Sequence, residues 1–333
     1  MTLLLASALA LIGAWLIPAI AMRIIMAARF KSGKQQATNY AGKTVSYGLA
    51  LVWLVWTSSL ALFLVLGSWL TNSKIISSAN ATAQLLTEVM AHYSWENTFF
   101  VLAVPLVLSC FFFGWLDDCF GRRGDGGGFK GHIKALLRGK LTTGMAKLLG
   151  IGCTALAVSI FLVGFDPFAG GFLRLSSYDL LLIVLATCAI ALSANLINLF
   201  DLRPARASKV YVFLTLQVAF ISLCAALVFT TITGLWNPAH LLREELVHVL
   251  WLLGPIAAIW RYDAGERAML GDAGANPAGA LLGLFAVSGL FVLLPVYVLF
   301  VLALNLASEK VSYSQLIERT PWLQRIDSWG RPL

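Results

Sequence analysis

Long apolar runs separated by short polar segments make up most of this chain. Most of these runs are long enough to cross a hydrocarbon layer of about 30 Å as a helix, which takes about 20 residues. Seven runs of this kind precede residue 277; they cover about 3–22, 47–70, 97–116, 146–165, 178–200, 210–234 and 246–260. The pattern predicts an all-α, polytopic integral membrane protein.

A further apolar stretch covers residues 277–307 and is too long for one upright helix. Because it contains Gly289 and Pro295, we interpret it as two short or tilted helices with a turn near Ser288-Gly289. This interpretation raises the total to about nine membrane-spanning helices. A single kinked helix is the alternative.

The chain is therefore expected to have one transmembrane domain, residues 1–307, and a tail, residues 308–333. Apolar and charged residues are mixed in the tail. Thr320-Pro321 has the pattern of an N-cap followed by proline at the first helical position. We expect an amphipathic helix that lies in the membrane interface and is anchored by tryptophan.

Composition and charge support this class and assign an orientation. Hydrophobic residues make up 59% of the chain and charged residues 12%, whereas a soluble domain is about 25% charged. Almost all of the 24 Lys and Arg residues lie in the first, third, fifth and seventh segments between helices and in the tail. Positive residues favour the cytoplasmic side, so the N-terminus is predicted outside and these segments inside. The net charge of +8 thus reflects topology and does not indicate a nucleic-acid partner.

The cysteines and histidines make several other classes of site improbable on pattern alone. The five cysteines have no CxxC spacing, and the four histidines share no metal-ligand spacing. The sequence therefore does not predict a disulfide framework, a zinc site or a Ser–His–Asp hydrolase.

Acidic residues occur at three helix ends that the topology places on the cytoplasmic side. Asp117 and Asp118 end the third span, Asp201 ends the fifth, and Asp272 opens the eighth. A carboxylate at the centre of a membrane helix costs about 2.5–3.5 kcal/mol, so acids at such positions are functional candidates. If the three ends converge, the acids form a site for a divalent cation and phosphates. For the adjacent pair, a helix end solvated by water is the alternative.

Polar neighbours strengthen this hypothesis. Asn195, Asn198 and Asp201 are three residues apart and share one helical face. Amides there can bind hydroxyls, phosphate oxygens or metal-bound water, although contact between helices is the alternative. Lys147, at the start of the fourth span, is placed to reach a diphosphate, and Lys43, before the second, is a candidate substrate contact.

The start of the eighth span also has the composition of an anion site. Gly271 and Gly274 flank Asp272 and allow close approach of the backbone. A helix start offers free N–H groups to an anion. A simple N-cap role for Asp272 is the alternative.

Together these motifs resemble the polyprenyl-phosphate N-acetylhexosamine-1-phosphate transferase family over roughly residues 1–307. Asp117-Asp118 is similar to the family's DD motif, and Asn195 to Asp201 is similar to its NxxNxxD motif. The GDAG segment at 271–274 resembles its GD-x-G segment. Lys147 resembles the lysine that follows the DD loop.

The resemblance implies transfer of a sugar-1-phosphate from a UDP-N-acetylhexosamine to undecaprenyl phosphate, with release of UMP. It implies a multi-pass enzyme of the bacterial plasma membrane, in cell-envelope polymer synthesis, with Mg²⁺ as cofactor and Mn²⁺ as its alternative. A homodimer is left open. Asp117, Asp118 and Asp201 would be catalytic, with Asp117 activating the lipid phosphate, and Asp272 with Asp201 would bind the metal. The implied phosphate-binding and substrate-binding residues are Lys147, Asn195, Asn198 and Lys43.

The chain departs from the family pattern after Asp201. Family members continue with G-x-D-G, whereas this chain has Leu-Arg-Pro-Ala-Arg at 202–206. Arg203 and Arg206 are therefore candidates for binding a phosphate or another donor. The pentapeptide-transferring branch is excluded because its histidine-rich loop is absent: no histidine follows His248. A non-catalytic scaffold that binds polyprenyl phosphate is the main alternative function.

Overall fold

A computed structural model describes residues 7–31, 48–72, 98–121, 128–166, 171–172, 175–233, 238–290 and 292–331. Regular structure in these ranges is helical, apart from a two-residue antiparallel pair formed by Phe165–Asp166 and Gly171–Phe172. The prediction of an all-α fold is confirmed for the described part of the chain. A π-helical segment, Leu11–Leu16, leads directly into the first α-helix.

The α-helices of the described ranges are numbered here in chain order. They are α1 Ile17–Lys31, α2 Leu51–Asn72, α3 Thr98–Phe120, α4 Gly128–Leu137, α5 Thr143–Gly164, α6 Ser177–Phe200, α7 Arg206–Thr233, α8 Pro238–Asp263, α9 Asp272–Gly289, α10 Leu294–Ser308, α11 Tyr313–Arg319 and α12 Pro321–Ser328.

Six helical segments of the described ranges are long and apolar enough to cross a membrane. They are Ser7–Arg29, Gly48–Leu66, Thr98–Phe120, Thr143–Gly164, Ser177–Phe200 and Arg206–Thr233. A seventh is obtained if α10 and α11, which meet at 87°, are counted as one broken span. The fold is thus compatible with a multi-pass membrane protein, and the total of about nine spans stays a prediction.

The long apolar stretch after residue 277 forms two helices, as predicted. Helix α9 ends at Gly289 and α10 begins at Leu294, with Pro295 in its first turn. The alternative of one kinked helix is wrong for this stretch. Proline lacks a backbone N–H, which a first turn does not need, so it starts a helix more readily than it continues one.

Helix α9 is the centre of the fold. Every residue from Ala273 to Val287 is buried, and its most extensive contacts are with α6 and α3. A Cβ on Gly279 would lie only 2.6 Å from the Cα of Ala194 in α6. Small residues let membrane helices pack this closely, and the start of α9, with Asp272, is held firmly by its neighbours.

The tail after α10 forms two short helices. Helix α12 begins at Pro321 with Thr320 as its N-cap residue, as predicted. On α12 and just after it, Trp322, Ile326 and Trp329 are exposed whereas Asp327 is buried. The sequence predicted one amphipathic helix in the tail, whereas the structure has two; the amphipathic character and the position in a membrane interface stay predictions.

Candidate functional site

The three acidic helix ends converge, as predicted. Asp118, at the end of α3, accepts hydrogen bonds from the backbone N–H groups of Asp272 (3.0 Å) and Ala273 (2.9 Å) at the start of α9. Its carboxylate therefore satisfies N–H groups that a helix start leaves without partners, and it meets the positive end of the helix dipole. Asp118 joins α3 to α9 and positions Asp272.

Two glycines make this junction possible. A Cβ on Gly114, one turn before Asp118, would overlap the backbone of Asp272 and lie 2.7 Å from the Cα of Ala273. Gly271, the residue before α9, has φ +65°, a conformation that residues other than glycine rarely adopt. The close approach of α3 and α9 thus depends on glycine at both positions.

Lys147, in the second turn of α5, connects two of the acids. Its Nζ lies 2.7 Å from Asp117 Oδ2 and also donates to Asp272 Oδ2. The Lys147 side chain is 15% exposed, and those of Asp117 and Asp272 are 17% and 25% exposed. Little water is available to screen these charges, so the ammonium offsets the repulsion between the two carboxylates.

Asp201 completes the set from the end of α6. It is the C-cap residue of that helix, and its side chain accepts a hydrogen bond from the backbone of Gly271. Its pKa is raised well above the ordinary value, first because burial removes water from the carboxylate and then because Asp263 and Asp272 add negative charge. A further cation or proton near Asp201 would therefore stabilise this part of the site.

Asp263, the last residue of α8, is an acid that our sequence analysis did not single out. It is 1% exposed and accepts hydrogen bonds from Ala205 N (2.8 Å) and Ser208 Oγ (2.5 Å). Ala205 has φ +58°, so these bonds hold an unusual backbone conformation in place. The sequence signal for Asp263 was its place just after the end of an apolar run, the same signal that identified Asp201.

The predicted substrate contacts have different outcomes. The amide of Asn195 donates to Asn305 Oδ1 at 2.6 Å and so connects α6 to α10, which is the alternative of contact between helices. Asn198 is half-buried one turn before Asp201, and its carbonyl accepts from the N–H of that residue. Phosphate binding by either amide stays a prediction, and Lys43 lies outside the described residues.

Arg203 and Arg206 bind acids of the tail, which argues against their assignment to a phosphate. Arg206 donates through Nε and Nη2 to the two carboxylate oxygens of Asp327, at 2.8 and 2.9 Å, and Arg203 pairs with Glu318. Lys209 donates to the carbonyl oxygen of Asp327 at 2.5 Å. The tail thus covers the segment in which the sequence departs from the family pattern.

The electrostatic balance around Asp327 favours its charged form. Burial by itself would raise the pKa of this carboxyl, but the hydrogen bonds and charge of Arg206, together with Arg331 and Lys209, outweigh it. The pKa of Asp327 is therefore below its ordinary value. Opposite charges at hydrogen-bond distance stabilise a carboxylate in this way.

The acidic site fits a hard divalent cation by charge and by donor type. The site brings the ammonium of Lys147 together with four carboxylates, those of Asp117, Asp118, Asp201 and Asp272. Carboxylate oxygens are the ligands that Mg²⁺ prefers. As the side chains of the described ranges are placed, no three His, Cys, Asp or Glu residues form a ready coordination group. In their present arrangement two of the carboxylates face the lysine instead.

Comparison with protein-family models finds no match to this chain, and no curated protein matches it. The assignment of the candidate site therefore rests on the geometry of its residues.

Proposed function

We propose that this chain is a Mg²⁺-dependent phosphoglycosyltransferase. It would transfer a sugar-1-phosphate from a nucleotide-sugar, a UDP-N-acetylhexosamine, to undecaprenyl phosphate in the bacterial plasma membrane. The observation that carries the proposal is the convergence of Asp117, Asp118, Asp201 and Asp272 with Lys147 at one end of a set of apolar helices. A site rich in carboxylates next to hydrocarbon suits a lipid phosphate and a metal-bound diphosphate.

The proposal includes the orientation inferred from charge. Helices α8, α9 and α10 would complete about nine spans, with the N-terminus outside. The Lys and Arg residues that cluster in alternate segments support this orientation. The acidic site would then face the cytoplasm, where nucleotide-sugars are made available to an envelope polymer pathway.

In the proposed reaction an oxygen of the lipid phosphate attacks the phosphorus that carries the sugar. The bond to the leaving UMP breaks as the new P–O bond forms. Asp117 would accept a proton from the lipid phosphate, and Lys147 would move from the carboxylates to the substrate phosphates. Bound through Asp272 and Asp201, Mg²⁺ would supply positive charge to the diphosphate. Positioning and charge stabilisation account for most catalysis of phosphoryl transfer.

Asp118 has a different part in this proposal. Its carboxylate is already occupied by the N–H groups of Asp272 and Ala273. It would therefore position Asp272 and not touch the substrate. Replacement of Asp118 by Asn keeps one acceptor oxygen, so the loss of activity should be smaller than for Asp117→Asn.

The test uses purified protein with Mg²⁺, undecaprenyl phosphate and a panel of radiolabelled nucleotide-sugars. Lipid-linked product should form with one donor and fall by about 10²–10³-fold in Asp117→Asn and Asp272→Asn, the range for loss of one charge-stabilising group. Asp179→Asn is a matched control because Asp179 is a half-buried acid at the other end of α6, where it accepts a hydrogen bond from Ser176. Absence of product across the whole panel would refute the proposal.

A non-catalytic scaffold that binds polyprenyl phosphate is the second candidate. One observation favours it: Arg203 and Arg206 are paired with acids of the tail where the family pattern has G-x-D-G. The two functions are separated by the same preparation, because a scaffold binds undecaprenyl phosphate without turnover of any donor.

A further inference from the structure

A cleft of about 780 Å³ is lined by arginine, and none of the four site acids is among its described lining residues. Four arginines contribute to its walls: Arg23, Arg261, Arg267 and Arg331. No acidic side chain is among its described lining residues. Such a concentration of one charge is unfavourable unless an anion offsets it.

Two described acids, Asp327 and Asp263, interact with Arg331 of this cleft, and Asp263 already accepts hydrogen bonds from Ala205 and Ser208. Arg331 pairs with Asp327 at 2.9 Å, but Asp327 already accepts two hydrogen bonds from Arg206. The Arg331 side chain is 10% exposed, and its Nε is buried without a hydrogen-bond partner among the described residues. A buried donor in this condition is costly, and a ligand oxygen would satisfy it.

The aromatic residues of the cleft indicate where it would lie relative to a membrane. Trp260 lines the cleft, and the ring of Trp329 lies 6.1 Å from it. Trp329 is 70% exposed, and Arg23 lies in the last two turns of a segment that is apolar enough to cross a membrane. Exposed tryptophan next to basic residues at the end of such a segment is typical of the boundary between hydrocarbon and water.

We propose that this cleft binds a phosphate-bearing anion. The guanidinium group forms paired hydrogen bonds with phosphate oxygens, and basic pockets between membrane helices bind anionic lipid headgroups. The depth of the cleft favours a phospholipid headgroup over a soluble phosphate. The inference is independent of the proposed enzymatic function, because none of the four site acids lines the cleft.

Two exposed arginines allow a test with little risk to the fold. Arg23 and Arg267 are both exposed, so Arg23→Gln with Arg267→Gln removes charge from the cleft without opening the core. Arg138→Gln with Arg319→Gln is the matched control, because both residues are exposed and neither lines the cleft. Monodisperse elution and an unchanged Tm in lipid-free detergent establish that each variant is folded.

The measurement is binding of the detergent-solubilised full chain to phosphatidylglycerol, to zwitterionic phosphatidylcholine and to soluble pyrophosphate. We expect the parent to bind phosphatidylglycerol in preference to phosphatidylcholine, and the cleft variant to bind it about thirtyfold more weakly, from two lost charges. The control variant should bind as the parent does. Arg267→Gln alone should bind phosphatidylglycerol about fivefold more weakly than the parent, from one lost charge, and provides a second variant if the double substitution fails to fold.

The remaining outcomes separate the two sources of phosphate. Binding of pyrophosphate that is weakened by the cleft variant, without preference for phosphatidylglycerol, would assign the cleft to a soluble phosphate. If the cleft variant binds each probe as tightly as the parent and the control variant do, the proposal is overturned.

Discussion

The contact between the tail and the start of α7 provides a quantitative prediction. Arg206 and Asp327 form a two-bond ion pair in which the side chains are only 3% and 9% exposed. Asp327→Asn keeps the size of the side chain but removes its charge and one of the two acceptor oxygens. It leaves the buried guanidinium of Arg206 without a counter-charge.

The magnitude follows from the burial of the pair. Removal of one partner from a buried ion pair costs about 3–5 kcal/mol, and every 1.4 kcal/mol changes an equilibrium constant tenfold. We therefore expect the tail of the variant to detach at least about 100-fold more often than that of the parent. Glu318→Gln is the matched control, because its pair with Arg203 is 30% and 44% exposed and an exposed pair contributes about 1 kcal/mol or less.

Hydrogen exchange of the backbone amides in α11 and α12 measures this detachment directly. Amides of the tail should exchange at least about 100-fold faster in Asp327→Asn and no more than about fivefold faster in Glu318→Gln. Amides of α9 provide the internal reference and should be unchanged. Similar acceleration in both variants would show that burial does not decide the strength of these pairs, and would refute the reasoning.

Two further predictions concern the site junction and pH. Gly114→Ala should lower the free energy of unfolding by about 1–3 kcal/mol, because the new Cβ would overlap the backbone at Asp272. Gly152→Ala is the control: nothing lies within 4 Å of its new Cβ, so its Tm should be unchanged or higher. Equal Tm values for the two variants would contradict this prediction. Because the pKa of Asp327 is lower in the folded protein than the ordinary value of about 3.9, its contribution to tail docking is complete above that value and is lost as the pH falls through the folded pKa. Hydrogen exchange of the tail, corrected for the intrinsic effect of pH, should show this loss in the parent and little of it in Asp327→Asn.

The helical framework could be predicted from apolar run length. The predicted spans 97–116 and 178–200 correspond to Thr98–Phe120 and Ser177–Phe200, because a membrane helix must satisfy its own backbone hydrogen bonds over a minimum length. The predicted span 246–260 is only part of Pro238–Asp263. The helix extends in both directions through polar residues, which an apolar window does not include.

Convergence of the acids could also be predicted, because spans that alternate in direction bring the ends of α3 and α6 and the start of α9 to one side. The partners of each acidic side chain could not be predicted from the sequence. Lys147, which the sequence offered as a contact for a diphosphate, pairs with Asp117 and Asp272, and its contact with a diphosphate stays a prediction. Such pairing depends on the rotation of α5 relative to α3 and α9, and no single helix contains that information.

The tail also combines features that the sequence predicts with contacts that only the folded structure decides. Its amphipathic pattern and the start of α12 at Pro321 follow from local preferences, which act between residues close in the chain. Its attachment to Arg206 joins residues 121 positions apart, so the docking surface exists only in the folded molecule. The sequence by itself determined helices apolar and long enough to cross a membrane, with acids at three helix ends, since apolar length and the cost of charge are local properties. Only the tertiary structure decided that the arginines beside Asp201 bind the tail, because the depth and pairing of a charge depend on what packs over it.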